Sequence, residues 1–371
     1  MSHNDTGPAQ TRVSFWHVLC KSGEEFAMLI TPILITLIQF ASAAKLVPPD
    51  HGLYQGVFPD LPEVPAPIWR KKISEYESLI GKKVAFATIL NDFPDGPVFP
   101  KAAVREVIQS GTVPFIRILP RSERVQGEGP EKKFQLELFA NGTFDQEIRS
   151  WCAAAKSVRS PILVGFAQEP NGDWYGWGGF WNGGGLHTYS PEIPDGPYNY
   201  RQAYRRFVQV CRTTGADNIT WFFHLDSQRK PSESWNKMAY YYPGDDVIDW
   251  IGLSVYGAQY PSDYWGGFVE TLEPAYQEMA AISAIKPMAV LEMGVIEKPG
   301  DPNGKADWFR EAFSALTDGR FPRIKGLTYW HESSWLPEGD NNFRIDSSPE
   351  ALKAFREGIG NPQLLGRAAF R

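Results

Sequence analysis

The sequence predicts an α/β protein, a single-domain (β/α)8 TIM barrel with an extended loop after its fourth strand. Three features predict it. Short runs rich in Val, Ile, Phe and Tyr alternate with amphipathic stretches of helical period, the pattern of repeated βα units on a parallel sheet. Eight such runs follow one another, the number at which a parallel sheet closes on itself in this fold. The 371 residues, 43% hydrophobic and 22% charged, can bury the core of a barrel whose loops add to the usual ~250 residues.

The strands are expected at residues 53–58, 83–90, 113–119, 162–167, 219–224, 247–255, 288–291 and 324–329. Helical periodicity marks 73–80, 101–110, 144–155, 200–213, 268–282 and 305–316, the last followed by Gly319 as a stop. No repeat of solenoid length, linker or low-complexity tract interrupts this order. Residues 171–197, filled with Gly, Trp, Tyr and Pro, exceed the usual βα connection of about 2–6 residues. In a barrel the loops after the strands form the C-terminal face, where active sites of this fold lie, so strand ends are where chemistry is sought.

Residues 1–43 have the shape of a signal peptide: Phe26 to Phe40 is apolar apart from Thr, Pro and Gln, and Ala41-Ser42-Ala43 offers a small-x-small cleavage pattern. Cleavage is expected after Ala43 or Ala44, which leaves 44–371 as the barrel domain and makes the protein secreted or periplasmic. The competing reading is an uncleaved N-terminal membrane anchor, because Arg12 and Lys21 are offset by Glu24 and Glu25. The run is nonetheless short for a hydrocarbon core of about 30 Å. Cys20 precedes the run, and Cys152 and Cys211 fall on predicted helices before neighbouring strands, which leaves open a disulfide or two buried free thiols. Cysteine spacing gives no metal site, His224 and His331 match no metal constellation, and no cofactor is expected.

A net charge of −6 with no Lys/Arg block argues against a nucleic-acid partner. A neutral polymer fits better. Aromatics make up 14% of the chain, with 13 Trp, and such rings stack on the C–H faces of sugars, although many of these Trp will be core residues. A monomer is expected.

Reading the residues at or just past each strand end gives Asn91, Asp92, Arg117, Gln168, Glu169, His224, Asp226, Tyr256, Glu292, Trp330, His331 and Glu332. Glu169 ends the fourth strand and Glu292 the seventh, positions that face one another over the mouth of a closed barrel. Opposed carboxylates perform glycosidic chemistry, one protonated to release the leaving oxygen and the other ionised to attack the anomeric carbon. Glu332 is the nearest rival, in a polar loop beyond Trp330-His331.

The run Gln168-Glu169-Pro170-Asn171-Gly172-Asp173-Trp174-Tyr175-Gly176-Trp177-Gly178 resembles the acid/base segment of glycoside hydrolase family 26. Asn218-Ile219-Thr220-Trp221 is similar to that family's fifth strand, Asp249 through Gly257 to its sixth, and Lys286 through Gly294 to its nucleophile strand. The resemblance implies a retaining β-glycoside hydrolase acting on β-linked polysaccharide; endo action is expected, with exo action the alternative if residues 171–197 close one end of the cleft. It implies Glu169 as acid/base, Glu292 as nucleophile, Tyr256 as the nucleophile's hydrogen-bond partner, Trp174 as a subsite wall and Trp330 as a stacking platform. Gln168, Asn171, Trp177 and Trp221 complete the expected substrate-binding set. The family's mannanases commonly carry Arg-Pro-x-His before the acid/base, whereas Gly165-Phe166-Ala167-Gln168 stands here. A Gln for a His changes the donor pattern beside the 2-hydroxyl, whose orientation separates mannose from glucose. The expected substrate is β-1,4-mannan, with mixed-linkage β-glucan and β-1,3-xylan as alternatives. The reading from another class is a glycan-binding barrel in exopolysaccharide assembly that cuts nothing.

Overall fold

The computed structural model describes residues 44–59, 68–123, 129–189, 192–333 and 341–371; the leader, with its cleavage site and Cys20, lies outside them. Eight parallel strands form the predicted barrel: β1 (Leu53–Phe58), β2 (Phe86–Asp92), β3 (Val113–Leu119), β4 (Ile162–Phe166), β5 (Ile219–Asp226), β6 (Trp250–Tyr256), β7 (Met288–Gly294) and β8 (Ile324–Trp330). They pair in chain order, and β8 returns to β1 in register from Tyr54↔Gly326 to Phe58↔Trp330, which closes the sheet. Several strands run past their predicted ends. Asn91, Asp92, Asp226 and Glu292 are polar, so hydrophobic patterning stops before them, while backbone pairing continues to the mouth.

The outer layer holds α1 (Trp69–Ile80), α2 (Lys101–Gln109), α3 (Leu136–Ala140), α4 (Asp145–Ser157), α5 (Asp195–Thr214), α6 (Met238–Tyr241), α7 (Phe268–Ile282), α8 (Gly304–Thr317) and α9 (Pro349–Ile359). The sequence reading misses α3, α6 and α9. The first two are too short to show a period. The third carries a readable start, since Ser348 Oγ accepts from the Ala351 N–H and Pro349 occupies the first turn. Helix α5 begins at Asp195, earlier than expected, because Gly196 and Pro197 sit in a first turn whose N–H groups need no intrahelical partner.

Side chains alternate along each strand between the barrel interior and the helices. On β5, Phe222 joins Phe115, Leu163, Trp250 and Leu291 in the lower interior, while Trp221, Phe223 and Leu225 pack outward. Leu46 closes the bottom, held by antiparallel pairing with Phe370. Strand β7 breaks the alternation. Gly252 pairs with Ala289 and Leu253 with Val290, but Ser254 pairs with Glu292, so Leu291 is an extra residue. This bulge turns both Leu291 and Glu292 inward. It needs Gly252 opposite, where a β-carbon would come within 2.4 Å of Leu291 Cγ.

Cys152 on α4 and Cys211 on α5 form a disulfide with a Cα–Cα distance of 5.0 Å, which settles the pairing the sequence leaves open. Closing a 59-residue loop lowers the entropy of the unfolded chain. The Cys152→Ala/Cys211→Ala variant is therefore expected to lose up to about 4 kcal/mol of stability, read as a lower urea midpoint; an unchanged midpoint would show that the cross-link contributes nothing.

Candidate active site

Past Phe166 the chain turns sharply. Ala167 and Glu169 both adopt left-handed backbone, with φ of 49° and 53°, at a cost of about 1–2 kcal/mol each. The turn is held from both sides, by Ala167 N–H to Ile118 O and Glu169 N–H to His224 O, each 2.8 Å. It brings the Glu169 carboxylate over the mouth. There the Trp174 indole N–H donates to Oε2 at 2.8 Å and the Ser254 hydroxyl donates to Oε1. Trp174 reaches back only because residue 172 is glycine: a β-carbon there would lie 2.3 Å from the indole ring. Glu169 is buried, and burial pushes its pKa up against the Ser254 and Trp174 hydrogen bonds and the Arg117 charge.

Glu292, turned inward by the β7 bulge, has a different environment. Tyr256 Oη donates to Oε2 at 2.7 Å, Gln168 Nε2 donates to Oε1 at 3.1 Å, and the Arg117 guanidinium forms an ion pair with Oε1. Arg117 springs from β3 opposite Gly165 of β4 and reaches across the barrel to the Leu291 carbonyl. It is 1% exposed, and burial lowers its pKa to about 10, which leaves it charged at neutral pH. Gln168 locks the arrangement: its Oε1 accepts from Arg117 at 3.2 Å, which fixes the amide so that Nε2 faces Glu292 and the Tyr175 hydroxyl at 3.1 Å.

Glu169, His224 and Glu292 each offer an atom within 4.8 Å of the others. Such a trio has the donor types of a cation site, but here Ser254 and Tyr256 already donate to the carboxylates and Arg117 supplies the positive charge. Around the mouth, Trp330 stacks on Phe58 with centroids 3.9 Å apart and donates to Glu332 at 2.8 Å; Phe343 closes the same cluster against Tyr256.

Of the residues expected from sequence, Glu169, Glu292, Gln168, Trp174, Tyr256 and Trp330 are gathered at the mouth. Three others are not. Trp221 faces the helices and packs edge-on to Tyr204 and Phe207, a consequence of strand alternation with His224 and Asp226 pointing inward. Trp177 is buried, stacked on Tyr175, its N–H donating to the Gln168 carbonyl at 2.8 Å. Asn171 is fully buried and fastens the fourth loop to the fifth: its amide donates to the Asp226 and Gln228 carbonyls and accepts from the Asp226 N–H. Sequence reasoning missed Ser254, which lies two residues before Tyr256 on the same face of β6 and was legible from that spacing alone.

Residues 136–297, which include both glutamates, match the model of glycosyl hydrolase family 26, and the resemblance read from the sequence is borne out. Endoglucanase H of Acetivibrio thermocellus is 29% identical over 225 residues, 59% of this chain and 22% of its own. The β-1,3-xylanase TXYA of a Vibrio species is 25% identical over 255 residues, 62% of this chain and 50% of its own. The chain thus spans half or less of the length of these relatives. Among solved structures, the GH26 β-mannanase BoMan26A of Bacteroides ovatus superposes with a TM-score of 0.59 at 14% identity, covering 85% of this chain and 90% of that one. Bacillus subtilis mannanase man26 gives 0.55 at 15% identity, covering 86% and 88%. These two likenesses bear out the barrel fold.

The buried ion pair makes a direct prediction. Arg117→Met leaves Glu292 as an uncompensated buried charge and is expected to cost about 3–5 kcal/mol in urea unfolding. Adding Glu292→Leu is expected to recover most of that loss, since the charge is then gone; equal stability of the single and double variants would show no coupling.

Proposed function

We propose that this chain, whose family 26 segment carries both glutamates, is a retaining β-glycoside hydrolase with Glu169 as acid/base and Glu292 as nucleophile. The observation that carries the reading is the close approach of the two carboxylates, with atoms within 4.8 Å, in environments of opposite character. Retaining glycosidases hold the pair about 5–5.5 Å apart, whereas inverting ones leave about 6.5–9.5 Å for a water. Glu169, short of charge compensation and desolvated, holds a proton for the leaving oxygen. Glu292, with Arg117 and two hydrogen-bond donors on it, is kept as the attacking carboxylate. Attack on the anomeric carbon breaks the glycosidic bond as Glu169 gives up its proton, and leaves a glycosyl ester on Glu292. Glu169 then takes a proton from the water that releases the sugar.

For the polymer, the sequence relatives support a β-glucan or another β-linked chain of sugars with an equatorial 2-hydroxyl, since they are named an endoglucanase and a β-1,3-xylanase. The immobilised Gln168 amide, in the place where the family's mannanases carry His, supports the same choice. β-1,4-Mannan, expected from the family resemblance, is the second reading. Endo action is part of the proposal. The leader-like residues 1–43 and the Cys152–Cys211 disulfide support export to an oxidising compartment, where a polysaccharide is met.

Reducing-sugar release from mixed-linkage β-glucan, β-1,3-xylan, glucomannan and galactomannan, assayed side by side, tests this. Glucan or xylan is expected to be cut faster than the mannans; a preference for galactomannan would reverse the substrate assignment, and binding without new reducing ends would favour a non-hydrolytic barrel. Glu292→Ala is expected to abolish turnover with folding intact, and Glu169→Ala to spare the first step, release of the aryl group, on aryl glycosides whose leaving group needs little protonation; full activity of the Glu292 variant contradicts the assignment. Only protonated Glu169 can donate, so activity falls as pH rises through its pKa. Burial places that value above the usual ~4.3, and the alkaline limb of kcat/KM is expected to lie above it and to vanish for good leaving groups in Glu169→Ala.

A further inference from the structure

Behind Glu169, β5 and β6 place two polar side chains in line. His224 Nε2 lies 2.8 Å from Ser254 Oγ, and Ser254 Oγ is hydrogen-bonded to Glu169 Oε1. His224 is 2% exposed and Ser254 fully buried. The far end of the line is closed: His224 Nδ1 is buried without a hydrogen-bond partner among the described residues.

That orphan atom sets the direction of the chain. Burial and the nearby Arg117 charge hold His224 neutral, so its ring carries one proton. A proton on Nδ1 would be a buried N–H with no acceptor among the described residues, which is unfavourable, and would leave Nε2 unable to donate. With the proton on Nε2, that N–H is satisfied by Ser254 Oγ. Ser254 has a single O–H, and with its oxygen already accepting from His224 that hydrogen is directed to Glu169 Oε1.

We propose that His224 and Ser254 are positioning residues that form a one-way hydrogen-bond relay onto Glu169 and confine its acid proton to Oε2. Oε2 is the oxygen beside Trp174, so the relay puts the proton on the oxygen that does not face Ser254. The role at the reaction rests on the reading of Glu169 as acid/base; the relay itself does not. The other charged and titratable groups facing Glu169 are Arg117 on β3, Asp226 on β5, Tyr256 on β6, Glu292 on β7 and Tyr175 in the loop after β4. The carboxylates and tyrosines do not favour its charged form. Arg117 does, but it is paired with Glu292. Ser254 and Trp174 are the hydroxyl and N–H donors directly on Glu169.

Two measurements on the full chain test this without turnover. In the parent protein, nitrogen-15 NMR of the histidines is expected to show His224 protonated on Nε2 across the neutral range; a proton on Nδ1 overturns the relay. Infrared titration of the Glu169 carboxyl, identified by its loss in Glu169→Gln, is expected to shift up by about one to two pH units in Ser254→Ala and by less, in the same direction, in His224→Phe. An unmoved Glu169 titration in folded Ser254→Ala also overturns it. Because the tautomer is read in the parent, a variant that fails to fold leaves the proposal exposed to refutation. A parent that cuts no polysaccharide would refute the hydrolase reading while leaving both measurements intact.

Discussion

The site depends on one buried ion pair. Arg117 and Glu292 meet in a barrel mouth where neither is appreciably exposed, and desolvating two such groups costs several kcal/mol apiece unless each remaining donor and acceptor is matched. Much of the surrounding architecture matches them. Gly165 stands beside Arg117 on the neighbouring strand, Gln168 and the Leu291 carbonyl accept from its two terminal nitrogens, and Tyr256 donates to Glu292; the buried Arg117 Nε–H has no partner among the described residues. Arg117 is paired with Glu292, whereas Glu169 is held by the Ser254 hydroxyl and the Trp174 N–H, with no cation in an ion pair on it among the described residues. That asymmetry is what the proposed division into acid and nucleophile draws on: burial raises the pKa of Glu169, while Glu292 has the Arg117 charge beside it.

Each glutamate owes its aim to a local departure from regular backbone. Glu292 points inward through the bulge at Leu291, and Glu169 is aimed by two left-handed residues in three positions. Both departures are supported by rigid neighbours, Gly252 against Leu291 in one case and the β3 and β5 carbonyls in the other. Strain of this kind persists only where the surroundings over-determine it, and here they do.

The barrel was legible because predominantly apolar strands recur eight times between helical stretches. The bounds of β1, β3 and α7 agree with the reading from sequence, whereas strand ends at the mouth ran on through polar residues that pattern alone treats as loop. The catalytic candidates were legible as residue types at strand ends, but their neighbours were harder to place. Trp221 was misassigned by chemistry when its parity on β5 already turned it toward the helices. Asn171 and Trp177 belong to the recognised segment yet hold the loop together from inside it, a distinction set by three-dimensional burial. The bulge in β7 leaves no trace in composition, so Glu292 was placed at the mouth from its strand-end position, and the cause of its inward turn came only from the strand register.

On the proposed assignment a Glu292 carboxylate oxygen bonds to the anomeric carbon while Glu169 handles protons. The most direct test is the intact mass of the Glu169→Ala protein mixed with an aryl β-glycoside bearing a good leaving group, followed by peptide mapping. Removing the acid/base slows release of the sugar more than its capture, so the account predicts a mass increase of one glycosyl unit, located on the peptide that contains Glu292. Release of the aryl group with no adduct, or an adduct on any other residue, would contradict it.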